Sequence, residues 1–109
     1  MTASAPTFIR VPLLPVEAIC LGDVVLHRHK LCHSLRNHET THWLQQREVG
    51  RKEYARIYWH EYSVARAAGL SRGEAYRKIR FEREAFDHEN DGGYNARRKP
   101  CAWQDYEEP

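Results

Sequence analysis

The centre of the chain reads His38-Glu39-Thr40-Thr41-His42, which is an H-E-x-x-H motif. It lies in a segment from about residue 32 to residue 49 with a helical period, and Gly50 is placed to end that helix. Residues four apart on an α-helix project side by side, so both imidazoles can reach one Zn²⁺ ion. Glu39 lies about 100° around the helix, where it can address a metal-bound water. The motif therefore predicts His38 and His42 as metal ligands, Zn²⁺ as cofactor and Glu39 as general base.

A catalytic zinc site needs a third protein ligand, and a later helix offers two carboxylates for it. This helix starts at a capping box made by Ser71 and Glu74, and Asp91-Gly92-Gly93 stops it. Glu82 and Glu84 lie on it about 200° apart, so at most one of them can point at the metal. Periodicity alone does not decide which of the two is the third metal ligand. The alternative is that neither binds metal and both belong to an ordinary solvated run of charges.

The remaining elements predict a small α+β domain. Strand-like runs occur at 8–11, 16–21 and 24–27, and Gly22-Asp23 joins the last two as a β-hairpin. A helix from about 52 to 68 carries tyrosines at 54, 58 and 62, a stripe typical of core packing. The helix that starts at Arg72 extends toward Asn90, with or without a break near residue 80. We expect one domain over residues 1–93, a small N-terminal sheet packed on three main helices, and a C-terminal tail over residues 94–109.

Composition excludes several classes of protein. The 109 residues carry 17 basic and 15 acidic side chains, a net charge of +2 that argues against nucleic acid as a partner. No apolar run approaches the roughly 20 residues of a membrane span, and the first 15 residues lack the basic start of a signal peptide. Three cysteines are too few, and odd in number, for a disulfide scaffold. We therefore expect a cytoplasmic protein without a membrane partner.

The two motifs together resemble the gluzincin branch of zinc metallopeptidases. Residues 82–85 read Glu-Arg-Glu-Ala, similar to the E-x-E-A stretch of the glutamate helix in small intracellular gluzincins. The first glutamate of that stretch is the zinc ligand in those families, so the resemblance implies Glu82 as third ligand, with Glu84 as the alternative. Those families usually carry Asp or Asn about four positions after the ligand, where this chain has Phe86 followed by Asp87.

The chain is also similar to small phage and bacterial proteins of unassigned function. Their shared patterns, H-E-x-x-H-x-x-Q-Q-x-E and Y-R-x-I-x-F-E-R-E-A, match residues 38–48 and 76–85, and the likeness spans roughly residues 18–90. It implies a zincin-like fold with an edge strand above a cleft, an active-site helix and a backing glutamate helix. This likeness does not supply a substrate; hydrolysis of peptide bonds in a peptide or protein substrate is what the H-E-x-x-H motif and the gluzincin resemblance lead us to expect. The alternative is a catalytically silent zincin-like module, phage or plasmid encoded, that binds a protein.

Several weaker expectations concern other residues. The strand at 24–27 is either the edge that pairs with an extended substrate or a core strand. His88 or Tyr94 could donate to an oxyanion, and Glu61 could accept from a ligand imidazole or lie exposed.

The tail over residues 94–109 carries further expectations. Its aromatic residues Trp103 and Tyr106 could dock on the body, whereas its basic residues 97–99 are expected to be solvated. The tail could also lie across the cleft and plug it, through Cys101, Trp103 or its carboxylate-rich end.

Overall fold

Three short strands form one mixed sheet in the computed structural model, which describes residues 4–109. The strands are β1 (Thr7–Arg10), β2 (Ala18–Leu21) and β3 (Val24–His27), in the order β1-β3-β2. Because β3 pairs parallel with β1 and antiparallel with β2, it is the central strand and has no free edge. Residues 1–3 lie outside the described residues. They belong to the predicted domain over residues 1–93 and to the N-terminal segment that was considered as a signal peptide.

The predicted hairpin between β2 and β3 is present. Leu21 pairs with Val24, and Gly22 takes a φ of +63°, a left-handed conformation that glycine adopts without a Cβ penalty. The Trp43 indole N–H donates to Asp23 Oδ1 over 2.7 Å, which ties the turn to the helix that follows the sheet.

Five α-helices follow the sheet, together with one short 3-10 helix. They are α1 (His33–Val49), α2 (Arg51–Ala67), α3 (Arg72–Lys78), α4 (Arg80–His88), α5 (Tyr94–Arg97) and the 3-10 helix Ala102–Asp105. Gly50, with a φ of +87°, separates α1 from α2, as its position in the sequence predicts. The predicted capping box is also present, with hydrogen bonds in both directions between Ser71 and Glu74. Among residues 4–109, no helix is both long and apolar enough to cross a membrane.

The third predicted helix is broken in two at Ile79. The backbone of Ile79 is extended, with a ψ of 128°, and α4 starts at the next residue. The Arg80 N–H donates to Glu61 Oε1 over 2.9 Å, and the Arg80 side chain pairs with the same carboxylate. A glutamate from α2 therefore caps α4 and ties its first residue to α2.

The hydrophobic core lies between α2, α4 and the tail. Its fully packed centre is Ile79, Phe81 and Trp103, and the ring centroids of Phe81 and Trp103 lie 4.6 Å apart. The Tyr106 hydroxyl also docks, donating to Asp87 over 2.8 Å. The predicted docking of both tail aromatics is confirmed, and the overall architecture is α+β, as the sequence predicts.

Helix α1 turns an unusually polar face toward the interior. Of its seven buried residues, only Trp43 is apolar. The others are His38, Glu39, Thr41, His42, Gln45 and Gln46. Buried polar side chains are expensive unless they have partners, so this face must take part in a polar network.

Candidate metal centre

Two imidazoles and one carboxylate converge between α1 and α4. Glu82 Oε1 lies 3.0 Å from His38 Nε2 and 3.1 Å from His42 Nε2. The imidazole rings meet edge to face, with centroids 4.8 Å apart. All three side chains are nearly buried, with no residue more than 6% exposed. The three residues that the sequence motifs and the resemblance single out thus meet at one point.

A carboxylate fixes the orientation of His38 from behind. His38 Nδ1 lies 2.8 Å from Glu89 Oε1, and because an ionised carboxylate only accepts, Nδ1 must carry the hydrogen. In the neutral imidazole, Nε2 then presents its lone pair to Glu82. Phe86 packs edge-on against the His38 ring, with centroids 4.6 Å apart. Glu89, which directly follows the last residue of α4, supplies the acceptor for His38.

An amide fixes the orientation of His42 in the same way. The Gln45 amide nitrogen donates to the Phe81 carbonyl oxygen over 3.0 Å and to Glu84 Oε1 over 2.9 Å. The amide oxygen therefore faces His42 Nδ1, 2.8 Å away, which must carry the hydrogen. His42 Nε2 likewise turns its lone pair toward Glu82.

This arrangement requires a cation at the meeting point. Two nitrogen lone pairs and a carboxylate oxygen repel one another at about 3 Å unless a proton or a metal ion lies among them. Ligands held tetrahedrally at the zinc bond lengths of about 2.0–2.1 Å stand roughly 3.3 Å apart, close to the separations seen here. Two imidazoles and one carboxylate also form a catalytic zinc donor set. The residues fit Zn²⁺.

Charges at the centre stabilise one another strongly. Burial alone would lower the pKa of His42, but the charge and hydrogen bond of Glu82 raise it to about 9. Burial would raise the pKa of Glu82, yet His42 and His38 hold it well below its usual range. The Tyr58 hydroxyl donates to the second oxygen of Glu82 over 2.8 Å, which leaves Oε1 directed at the imidazoles.

Glu39 stands beside this centre without being part of its hydrogen-bond network. Its Oε2 lies 4.0 Å from His38 Nε2, and donor atoms of His38, Glu39 and His42 all fall within 4.8 Å of one another. Glu82 approaches the imidazoles more closely, so it fits the third ligand better than Glu39 does. Burial raises the pKa of the Glu39 carboxyl above its ordinary value, although His42 and His38 pull it down. A buried carboxylate with a raised pKa is suited to accept a proton.

The centre opens into a long cleft of about 1550 Å³. Strand β2 forms one wall, α2 the other, and α1 presents His38, Glu39 and His42 between them. Of the described residues that line the cleft, none comes from 94–109, so the tail does not plug it.

The free edge of the sheet at this cleft belongs to β2. An expectation that strand 24–27 could pair with substrate is wrong, because β1 and β2 occupy both edges of β3. The Glu17 carbonyl accepts from the Arg28 N–H, so Glu17 turns its backbone groups toward β3. Backbone groups point alternately to the two sides of a strand, so those of Ala18 and Cys20 point away from β3, toward the free edge. The Gln46 amide covers the far end of this edge, donating to the Cys20 carbonyl over 3.0 Å and accepting from Gly22 N–H over 3.2 Å.

Glu84, the alternative third ligand, faces away from the centre. Its side chain is fully buried and accepts from Gln45, from the Tyr94 hydroxyl and from Arg98. Arg98 also pairs with Glu48 over 2.7 Å, and its side chain is only 3% exposed. The expectation that the basic tail residues are solvated is therefore wrong for Arg98, which joins the tail to α1 through the half-buried Glu48 and to α4 through the fully buried Glu84.

The weaker candidates lie elsewhere. Tyr94 donates to Glu84, and His88 stacks on the Tyr94 ring with centroids 3.7 Å apart, so neither lines the cleft. Glu61 is buried and binds Arg80 rather than an imidazole, which makes it a cap of α4.

Four residues around the centre are parts of the site that the sequence motifs do not predict. Tyr58 binds Glu82, Tyr54 places its hydroxyl oxygen 3.2 Å from His42 Nδ1, and Gln45 and Glu89 orient the two histidines. A signal was available for two of them. A core-packing stripe can use phenylalanine, so tyrosine at successive helical positions indicates hydroxyls that need polar partners.

Comparison with known proteins gives no relative: no family model, no curated protein and no solved structure matches this chain.

Proposed function

We propose that this protein is a zinc-dependent metallopeptidase of the gluzincin type, with His38, His42 and Glu82 as the zinc ligands. The observation that carries the proposal is the convergence of two imidazole lone pairs on Glu82 Oε1 at 3.0 and 3.1 Å. Both Nδ1 atoms are engaged behind the rings, so the Nε2 atoms are free to bind a metal. A buried carboxylate, Glu39, stands next to the metal position and faces the cleft.

Zinc in this site supplies a Lewis acid for the scissile carbonyl group and makes water more acidic. Glu39 accepts the proton of the attacking water and passes it to the leaving amine, because its oxygen atoms have no competing donor among the described side chains. The outward N–H and carbonyl groups of Ala18 and the outward N–H of Cys20, whose carbonyl accepts from Gln46, pair with an extended peptide and hold it across the cleft. We also propose a cytoplasmic, reducing location, because Cys20, Cys32 and Cys101 are all free.

The metal assignment is tested by elemental analysis of the purified protein and two matched variants. Glu82→Gln and Glu84→Gln each remove one buried carboxylate charge from α4. We expect Glu82→Gln to lose stoichiometric zinc and Glu84→Gln to retain it. If Glu82→Gln retains zinc and Glu84→Gln loses it, Glu84 rather than Glu82 is the third ligand and the assignment proposed here is wrong.

The reaction is tested separately with Glu39→Gln and a broad mixture of quenched fluorescent peptides. We expect this variant to keep its zinc and to lose turnover by at least about 100-fold, since a general base contributes about 10²–10⁴-fold. Glu53→Gln, an exposed carboxylate outside the cleft, is the control. A wild-type protein that binds zinc and cleaves nothing would instead favour the silent protein-binding module.

A further inference from the structure

The walls of the cleft carry positive charges that have no carboxylate partner. Arg28, Arg51 and Lys52 line the cleft, and no ion pair joins any of them to another residue among 4–109. The Nε atom of Arg28 is buried without a hydrogen-bond partner. Outside the metal centre, Glu17 is the one acidic residue among the described lining residues. Three cations thus face one carboxylate in the part of the cleft that a substrate would occupy.

Arg51 stands where the free edge of β2 ends. Its guanidinium group lies 3.5 Å from the position that a Cβ would take at Gly22. The Gln46 amide, which covers the edge at Cys20 and Gly22, lies at the same end. A peptide paired with β2 therefore loses its backbone partners at this end and meets a positive charge there.

The same cleft presents apolar side chains to solvent. Ile19 and Leu21 of β2 are 40% and 47% exposed, and Trp59 on the opposite wall is 68% exposed. Trp59 stacks on Tyr62, with ring centroids 5.8 Å apart. Apolar walls with the unpaired cations Arg51 and Lys52 at one end complement a peptide that is apolar and acidic.

We infer that the cleft selects extended peptide segments with apolar side chains and a carboxylate that binds Arg51. This inference rests on the proposed function in taking an extended peptide as the occupant. Either an Asp or Glu side chain or a terminal carboxylate supplies the required charge, and Lys52 strengthens the same end of the cleft.

The test measures binding rather than turnover. Zinc-loaded Glu39→Gln protein is titrated into fluorescein-labelled octapeptides of alanine and leucine, each with a C-terminal amide and one glutamate at a different position. A matched series carries glutamine instead, and one peptide has a free C-terminal acid. We expect one glutamate position, or the free acid, to tighten binding about three- to fivefold, as a solvent-accessible ion pair does. Which peptide gains affinity distinguishes the two sources of the carboxylate.

Two charge reversals at equivalent helix positions locate the effect. Arg51→Glu and Arg72→Glu each alter the first residue of a helix, but only Arg51 lines the cleft. We expect Arg51→Glu to abolish or invert the preference for the carboxylate and Arg72→Glu to leave it unchanged. Equal affinity for the glutamate and glutamine peptides, or no binding at all, would overturn the inference. A preference that survives in Arg51→Glu and vanishes without zinc would overturn it too, since the carboxylate would then bind the metal.

The outcomes separate this inference from the proposed function. Binding that depends on Arg51, in a protein whose wild type cleaves no peptide, supports the inference and contradicts the peptidase. Cleavage by the wild type without any charge preference in binding does the reverse.

Discussion

Arg98 joins the tail to the two helices of the metal centre, and its replacement by alanine should destabilise the fold strongly. The guanidinium makes four hydrogen bonds, two to Glu84 and two to Glu48. Its side chain is 3% exposed, and those of Glu84 and Glu48 are 0% and 17% exposed. Arg98→Ala therefore leaves one fully buried carboxylate without its positive partner.

The expected loss follows from this burial. Breaking a buried ion pair by removing one partner costs about 3–5 kcal/mol, and we expect the lower end because Glu48 reaches solvent. Glu84 also keeps its bonds from Tyr94 and Gln45, which limits the loss further. About 3 kcal/mol is a large share of the 5–15 kcal/mol that stabilises a typical domain.

The assay is urea denaturation of the metal-free protein, with unfolding monitored by circular dichroism. Arg97→Ala is the control, because Arg97 is 61% exposed and solvent screens its pair with Asp91, so losing that pair should change the stability little. In the double variant Arg98→Ala/Glu84→Gln, removal of the stranded charge should recover part of the loss. The reasoning is refuted if Arg98→Ala lowers the free energy of unfolding no more than Arg97→Ala does.

Three further predictions concern the metal centre and the tail. Gln45→Leu should weaken zinc binding about 10–100-fold, because the His42 imidazole loses the acceptor that orients it. Gln46→Leu is the control and should leave zinc binding unchanged. Competition with a chelating dye measures the zinc affinity of both variants, and equal losses of affinity would contradict the argument. In metal-free protein, the pKa of His42 is raised from 6.5 to about 9, so its contribution to stability is fully present below about pH 6.5. That contribution, up to about 3 kcal/mol, is lost as the pH rises through 9. Urea unfolding with a chelator present measures the free energy of unfolding at each pH. An unchanged free energy of unfolding between pH 6 and pH 9.5 would contradict the prediction. Deleting residues 94–109 should destabilise the protein without increasing turnover, because the buried Trp103 leaves the core; a faster peptidase would contradict this.

The sequence alone determined the features that depend on neighbours along the chain. The β-hairpin at Gly22, the helix end at Gly50 and the capping box at Ser71 follow from local backbone preferences, and all are present. The spacing of His38 and His42 placed both imidazoles on one face, because the helical repeat is a local property. These elements also sufficed to predict the α+β class.

Tertiary structure decided which faces meet. The helical periodicity did not distinguish Glu82 from Glu84 as the third ligand. The way α4 packs against α1, after the break at Ile79 and the cap from Glu61, turns Glu82 toward the histidines. The central position of β3 depends on its pairing with both β1 and β2, and such pairing joins residues far apart in sequence.

The supporting residues of the centre were hidden for the same reason. Glu89 shares a helical face with Glu82, but its bond to His38 spans 51 residues and depends on how α1 packs against α4. The sequence predicts a solvated tail residue at Arg98, because its partners Glu48 and Glu84 are distant in sequence and meet around it only in the folded protein. Local sequence sets the direction of each side chain within its element, whereas its partners are set by long-range packing.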